Sequence, residues 1–515
     1  MDGQPFLALA GELGNNTATS LENMQPIWPK LVSGHLNCVL VAVSWAQMEP
    51  VEGRSEFALI DGLIQEARRN HLKLVFLWFG SWKNGLSSYA PYWVKTDYKH
   101  YPRIQIRGGK TLELLSTFGD ATRDADARAY GALMRHIKEV DGVLHTVLMM
   151  QVENEVGVLR DSRDRSARAN TAFAGPVPKE LINYLQQHKE SLSPELREVW
   201  AGQGFRTSGT WEEVFGPGKR DSFDMPIQTK SPPMSVEEHE TTWRKLHWPV
   251  DEIFMAWNYA RYVNTVVEAG KKEYDLPVFV KAWLQQPNHA RPGTYPSGGP
   301  VPQVHDIWRA AAPAADVLAF IPETSTNATN VLSAFGKFNA IGFSPFFIER
   351  SAAADTELAA AYGLVSQLAP AIGAQQGKET ITAARMNQGD APLDLKLGNY
   401  TLTLTYVGLG RVPIAPDPSA TAGARDPKAP EAAVILIAAG PDEFYFGAVG
   451  GGIQIAFTPI TPGRQIVGLG DAQQGKFVQG QWRVVRQLGG DDTGQGEILT
   501  VRPNAPLRVT VYHYE

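Results

Sequence analysis

The stretch Val147-Leu148-Met149-Met150-Gln151-Val152-Glu153-Asn154-Glu155-Val156-Gly157 holds the residues best suited to chemistry. An apolar run ends abruptly in Gln, Glu, Asn and Glu. A strand interior does not tolerate ionised carboxylates, so acids gathered at a strand tip need a reason. Alternation puts Gln151, Glu153 and Glu155 on one side of the strand and Asn154 on the other. A second acid, Glu323, closes the similar run Asp316-Val317-Leu318-Ala319-Phe320-Ile321-Pro322-Glu323-Thr324. Each stretch alone has a plainer reading. The first fits a polar rim, and Pro-Glu often opens a helix, where Glu suits the dipole. Taken together, two carboxylates from separate strand tips meet the requirement of glycoside hydrolysis. One protonates the leaving oxygen, and the other attacks the anomeric carbon or activates water. A separation of about 5–5.5 Å gives retention through a covalent intermediate, and a wider gap gives inversion.

Such tips need a scaffold of parallel strands. Runs apolar on both faces, as buried parallel strands are, occur at Phe6–Gly11, Cys38–Trp45, Leu72–Phe79, His145–Gln151, Leu276–Leu284, Asp316–Pro322 and Ala340–Phe346. Helical patterns lie between them, at Ile60–Asn70, Asp124–Val140 and Ala353–Gln367. This alternation over residues 1–372 predicts an α/β fold. It favours a (β/α)8 TIM-type barrel, whose strand C-terminal ends build the site, over an open doubly wound sheet. Gly11-Glu12-Leu13-Gly14-Asn15 does not supply the Gly-x-Gly-x-x-Gly of a dinucleotide fold. Residues of about 160–245 break the rhythm with an Arg/Asp run, a polar helical stretch and Pro-rich punctuation. They read as a helical insertion on the barrel, with an independent helical domain as the alternative.

Over residues 373–515 the character changes. Alternating runs at Tyr400–Tyr406, Ala433–Ile437, Glu443–Phe446, Ile453–Phe457, Phe477–Val485, Glu497–Val501 and Leu507–Tyr512 are separated by Gly, Pro and Asp turns. That predicts a C-terminal antiparallel β-sandwich accessory domain. Gly373–Gly377 reads as a linker and Pro416–Pro430 as a long loop.

Composition bounds the rest. A chain of 515 residues, 43% hydrophobic and 20% charged with net charge −6, is globular and multi-domain. The acidic balance argues against a nucleic-acid partner. Its single cysteine, Cys38, sits in an apolar strand and reads as a buried, inert thiol; no disulfide framework or Cys-based zinc cluster can form. The longest apolar runs, such as Ala432–Ala439, fall short of the about 18 residues a membrane span needs. No His-Glu-x-x-His, Gly-x-Ser-x-Gly elbow or phosphate loop is complete. No cofactor or metal is expected. No leader is visible, so either a cytoplasmic protein or an exported one shown without its leader fits.

Gln151-Val152-Glu153-Asn154-Glu155 resembles the acid/base motif of glycoside hydrolase family 35, the β-galactosidases, in its bacterial branch with a C-terminal sandwich. Further stretches resemble the family in order. They are Gly11-Glu12, Trp45 with Glu49-Pro50 and Gly53, Trp78-Phe79-Gly80-Ser81-Trp82-Lys83-Asn84-Gly85, Pro322-Glu323-Thr324, Gly342-Phe343-Ser344-Pro345-Phe346 and Gly440-Pro441-Asp442-Glu443-Phe444. The resemblance implies a retaining exo-β-galactosidase. It would release terminal galactose from oligosaccharides or plant polysaccharide side chains, with xyloglucan suggested by the bacterial branch. It also implies a periplasmic or secreted location. Glu155 would be the acid/base, protonated before attack, and Glu323 the ionised nucleophile. Asn154 would bind the sugar 2-OH. Glu12, Asn84 and Lys83 would bind galactose hydroxyls. Trp45, Trp82 and Tyr259 would stack on the sugar or shape the pocket, with core packing weighed equally. Glu153 would hold the strand tip together rather than react. Against the family pattern, Asp316–Ala319 runs straight into Phe320–Glu323. The chain therefore counts seven barrel strands, one strand–helix unit short. A catalytically impaired carbohydrate-binding barrel, or another retaining β-glycosidase of the same clan, is the alternative this leaves.

Overall fold

The structure of the chain is a computed structural model. It describes residues 6–217, 249–283, 292–320, 327–353, 356–408, 431–461, 466–490 and 492–514. The chain forms two compact units. One comprises Met1–Leu40, Arg69–Leu72 and Thr324–Glu515, and the other comprises Val41–Arg68 and Lys73–Glu323.

All seven expected parallel runs form strands: β1 (Ala8–Glu12), β2 (Cys38–Ser44), β3 (Lys73–Lys83), β6 (Val147–Asn154), β7 (Val278–Ala282), β8 (Val317–Phe320) and β9 (Gly342–Phe343). The short antiparallel pair β4 (Arg103–Gln105) and β5 (Thr111–Leu115) stands apart from them. The seven-stranded order is β8-β7-β6-β3-β2-β1-β9, and the register pairs are parallel. Neighbours in space are neighbours in sequence, with the last strand beside the first. That is the winding of a TIM-type barrel. Among the described residues no eighth parallel strand joins it.

In the second unit, the helix Asp120–Asp141 buries Thr122, Ala125, Asp126, Ala129, Tyr130, Leu133, Met134 and Ile137, a face of i, i+3, i+4 spacing. The helix Pro249–Glu273 packs on it closely. A Cβ at Gly270 would sit 2.1 Å from Tyr130 Cε1, so only glycine fits there. The described part of the 160–245 segment holds the helices Ala167–Ala174, Lys179–Gln187, Pro194–Ala201 and Trp211–Phe215. Thr210 and Glu213 close a capping box at the last of these. Its remainder, over 218–248, lies outside the described residues. Within the Arg/Asp run that opens it, Asp161, Ser162, Arg163 and Asp164 are buried. Asp251 Oδ1 accepts from Arg163 Nε at 3.1 Å, and Asp251 Oδ2 from Arg165 Nη2 at 2.6 Å and Ser162 Oγ at 2.5 Å. Asp161 Oδ1 accepts from Arg165 at 3.0 Å.

In the first unit, Tyr362 of the helix Glu357–Gln375 donates to the carbonyls of Ala10 (2.7 Å) and Phe343 (2.9 Å), tying β1 and β9 to that helix. The same helix covers the sandwich, with Leu364 and Leu368 against Gly447. It runs through the expected boundary at 372/373, and Gly373 is helical rather than part of a linker. Cys38 is buried, as expected.

The sandwich strands are β10 (Ile381–Asn387), β11 (Leu393–Leu397), β12 (Tyr400–Gly408), β13 (Glu431–Ala438), β14 (Glu443–Val449), β15 (Gly452–Pro459), β16 (Ile466–Val478), β17 (Gln481–Gln487), β18 (Ile498–Val501) and β19 (Leu507–Tyr514). One sheet runs β10-β13-β14-β19-β16-β17 and the other β11-β12-β15-β18. Leu402, Leu404, Val434, Leu436, Phe444, Phe446, Ile453, Ile455 and Leu499 fill the core between them. Burying such side chains contributes about 1.5–3 kcal/mol each. The expected single strand Phe477–Val485 is a hairpin. Gln479 and Gly480 take φ 50° and 74° and turn the chain between β16 and β17, as a two-residue turn with positive φ at both positions does. The expected loop Pro416–Pro430 lies outside the described residues. No described helix is long and apolar enough to cross a membrane.

Candidate active site at the tips of β3 and β6

The site grows from a break in register. Trp78 pairs with Val152, and the next pair is Lys83 with Asn154. Four residues of β3, from Phe79 to Trp82, therefore face a single residue of β6, Glu153. The bulge deprives Ser81 and Trp82 of ladder partners for their N–H groups. Glu153 supplies them from its side chain: Oε1 accepts from Ser81 N at 2.9 Å and Oε2 from Trp82 N at 2.7 Å. A buried N–H left unpaired would cost about 1–3 kcal/mol.

A second carboxylate comes from the helix behind. Asp126 Oδ1 accepts from Trp78 Nε1 at 2.8 Å, and Oδ2 accepts from Ser81 N at 3.1 Å and from Ser81 Oγ at 2.6 Å. Ser81 spends its one hydroxyl proton on Asp126, so the 2.7 Å contact with Tyr262 is donated by the tyrosine. Ser81 N is thus shared between the two acids. Both are fully buried, and their carboxyls converge on Ser81 N and on the Cα of Gly80. Burial, then the facing Asp126 charge, hold Glu153 well above the usual carboxylate range. Burial also raises Asp126, while the hydrogen bonds from Glu153, Ser81 and Trp78 pull it back. A Cβ at Gly80 would meet Trp78 Nε1 at 2.5 Å, Asp126 Oδ1 at 2.6 Å and Glu153 Oε1 at 2.7 Å, so glycine is required where these groups converge.

Beyond the bulge the strands rejoin. Asn84 N donates to Asn154 O at 3.1 Å and Gly85 N to Glu155 O at 3.2 Å, while Glu155 N donates to Lys281 O of β7 at 3.1 Å. Asn154 Nδ2 donates to Asn84 Oδ1 at 3.0 Å, and Lys83 Nζ donates to the same oxygen. Gln151 Nε2 holds Asn154 Oδ1 at 2.9 Å and the Glu153 carbonyl at 2.8 Å. Asn84, Glu153 and Glu155 all have left-handed backbones, with φ of 53°, 59° and 51°. Each such residue costs about 1–3 kcal/mol and persists where surrounding structure enforces it, which is common at functional sites. Glu155 is half-buried, and no described residue makes a hydrogen bond or ion pair with its carboxylate.

The structure brings together Asn84, Asn154 and Glu155 among the expected site residues. Trp82 stands behind them, fully buried, with Nε1 donating to Leu115 O at 2.9 Å and its ring against Tyr259 (4.8 Å) and Tyr262 (4.4 Å). Tyr259 is equally buried, and no described partner reaches its hydroxyl. Trp45 is fully buried, its Nε1 on Glu49 Oε2 at 2.8 Å and its ring edge-on to Trp93 at 5.7 Å. All three rings are buried. Glu12 belongs to the other unit, buried on β1, with its N–H donated to Pro345 O at 2.9 Å. Glu323 lies outside the described residues. Sequence reasoning missed Asp126, Ser81 and Gly80. The signal for Asp126 was an acid on the buried helix face beside Thr122, Ala129 and Tyr130.

Residues 22–231 match the family model of the glycoside hydrolase family 42 β-galactosidases. That match covers less than half of the chain. The family named is 42 and not the family 35 that the motifs resemble, which corrects that expectation. Residues 358–500 match a domain of unknown function, DUF5597. No curated protein matches the chain. Solved structures similar to it include a β-galactosidase from Bacillus circulans sp. alkalophilus, at 14% identity over 71% of this chain and 56% of that one, with a TM-score of 0.43. A β-galactosidase from Rahnella sp. R3 is similar at 12% identity over 72% and 57%, with a TM-score of 0.40. The catalytic domain of a β-amylase from Paenibacillus polymyxa is similar at 12% identity over 65% and 91%, with a TM-score of 0.40. The chain spans little more than half the length of the first of these.

Proposed function

We propose that the chain is a retaining exo-β-galactosidase that removes terminal β-linked galactose from oligosaccharides or plant polysaccharide side chains. The observation that carries the reading is the tip of β6. A half-buried Glu155, free of described partners, stands next to a buried Asn154 whose amide is fixed by Asn84 and Gln151, within a domain matched to β-galactosidases. In the proposed reaction Glu155 protonates the glycosidic oxygen as the bond breaks, then takes a proton from the water that releases the sugar. Glu323 attacks the anomeric carbon. Asn154, held at both ends of its amide, and Asn84 bind sugar hydroxyls. Their contact with the 2-OH strengthens as positive charge develops on the ring.

A panel of aryl β-glycosides with terminal galactose, glucose or other sugars tests the substrate. Galactosides are expected to lead it, and equal rates on all would overturn the galactose assignment. Glu155→Gln is expected to keep slow turnover of activated aryl galactosides, whose leaving group needs little protonation, and to lose natural substrates. Equal losses on both would remove the acid role. A 2-fluoro-galactoside is expected to leave an intact-mass adduct on the peptide that holds Glu323. An adduct elsewhere, or none, would reassign the nucleophile.

A further inference from the structure

We infer that Asp126 and Glu153 share a single proton, and that this acid pair is the positioning device that sets Asn84 against Asn154 and Glu155. The positioning half of the inference rests on the function proposed above. The pairing itself does not.

The proton follows from counting donors. Asp126 accepts from Trp78 Nε1, Ser81 N and Ser81 Oγ, which is the behaviour of an ionised carboxylate. Glu153 accepts only two backbone N–H groups. Two ionised acids cannot share Ser81 N in a fully buried setting. One of the two acids that meet at Ser81 N therefore holds a proton, and Glu153, with fewer donors, carries it. Among the described residues, the groups that hydrogen-bond Asp126 and Glu153 are Trp78, Ser81, Trp82 and Tyr262, none of them a cation. Tyr262 hydrogen-bonds Ser81, and Tyr259 feels Glu153 and Asp164. Tyr130 packs on Trp78. All three tyrosines are held neutral by burial, which raises them. Lys83 directs its Nζ to Asn84.

The positioning follows from the register break. Glu153 is the one residue of β6 opposite the four-residue bulge, and its two accepted N–H groups fix where the bulge ends. One residue on, Lys83 pairs with Asn154, and Asn84 meets both the Asn154 carbonyl and its amide. Loss of the proton at high pH puts a second negative charge beside Asp126. The pair then separates, and the bulge and the Asn84–Asn154 contact shift with it.

The test uses the full chain and the variants Glu153→Gln, Glu153→Ala and Asp126→Asn. Thermal midpoints are read across pH, and kcat and KM are read across pH on an aryl β-galactoside. Glutamine carries no titratable proton; its Oε1 can keep the Trp82 N–H and its Nε2 can donate to Asp126, leaving Ser81 N to Asp126 Oδ2. Its midpoint is expected to lose the alkaline decline of the wild type, and the alkaline limb of its kcat is expected to move up. Glu153→Ala is expected to lower kcat by about tenfold or more with KM little changed, since an ångström-scale shift costs that much. Glu153→Gln is expected to recover most of that loss. Should Glu153→Ala not fold, the other two variants decide. A Glu153→Gln midpoint that follows the wild type with pH overturns the shared proton. A Glu153→Ala enzyme with wild-type kcat and pH profile overturns the positioning role. A wild type inert on every aryl glycoside would instead remove the functional reading, and the midpoints would still decide the pair.

Discussion

The second unit buries two clusters of acids and satisfies them in opposite ways. Behind the insertion, Asp251 and Asp161 meet Arg163 and Arg165. At the β3 and β6 tips, Asp126 and Glu153 meet each other. The first cluster is balanced by charge. Burial pulls Arg165 down, but Asp251 and Asp161 outweigh it and raise the value. Arg163 is lowered by burial and by Arg165, though a guanidinium keeps its proton throughout the ordinary pH range. The second cluster is balanced by a proton, which solution pH can remove. A buried acid beside arginines is therefore a fixed brace, and a buried acid beside another acid is one that pH can release. The brace holds the segment after β6, and the releasable pair stands next to the candidate acid/base.

Asp251→Ala should have the largest effect on that contrast. It leaves Arg163 and Arg165 buried without their shared carboxylate, and breaking a buried pair costs about 3–5 kcal/mol. Denaturant unfolding near neutral pH checks this, and a loss under about 1 kcal/mol would mean the network is wet. Gly80→Ala comes next. Its methyl group would press on Trp78, Asp126 and Glu153 together, and overpacking of this kind costs about 1–3 kcal/mol. The loss should be accompanied by loss of kcat, because the bulge must move. Asp126→Asn should be the mildest in stability and the most telling in pH. Glu153's folded value is raised, so the stability tied to its proton is full below the ordinary Glu value of about 4.3 and is lost as pH rises through the raised value. With asparagine opposite, that alkaline decline should flatten. If wild type and Asp126→Asn unfold in parallel from mildly acid to alkaline pH, the contrast between the clusters fails.

Much of the scaffold is legible in the chain. Strand position is a local property of apolar runs and their breakers, and the seven parallel strands form where those runs lie. The sandwich was readable for the same reason, except for β10, β11 and most of β16. These mix polar residues or glycines with small and apolar ones and contrast little with turns. The β16–β17 hairpin was missed because Gln479-Gly480 is a weaker turn signal than Asn-Gly. At the site, the acids at the end of β6 announced themselves, because carboxylates at the close of an apolar strand are a local anomaly.

The sequence by itself determined the layers, the strand tips and the acids those tips present, since each depends on residues a few positions apart. Tertiary structure decided the rest. Asp126 meets Glu153 across 27 positions only because one helix packs behind one bulge. The register break between β3 and β6 depends on two strands that cannot read each other until they pair. The protonation of Glu153 depends on burial and on a neighbour's charge, and neither exists before the chain has folded.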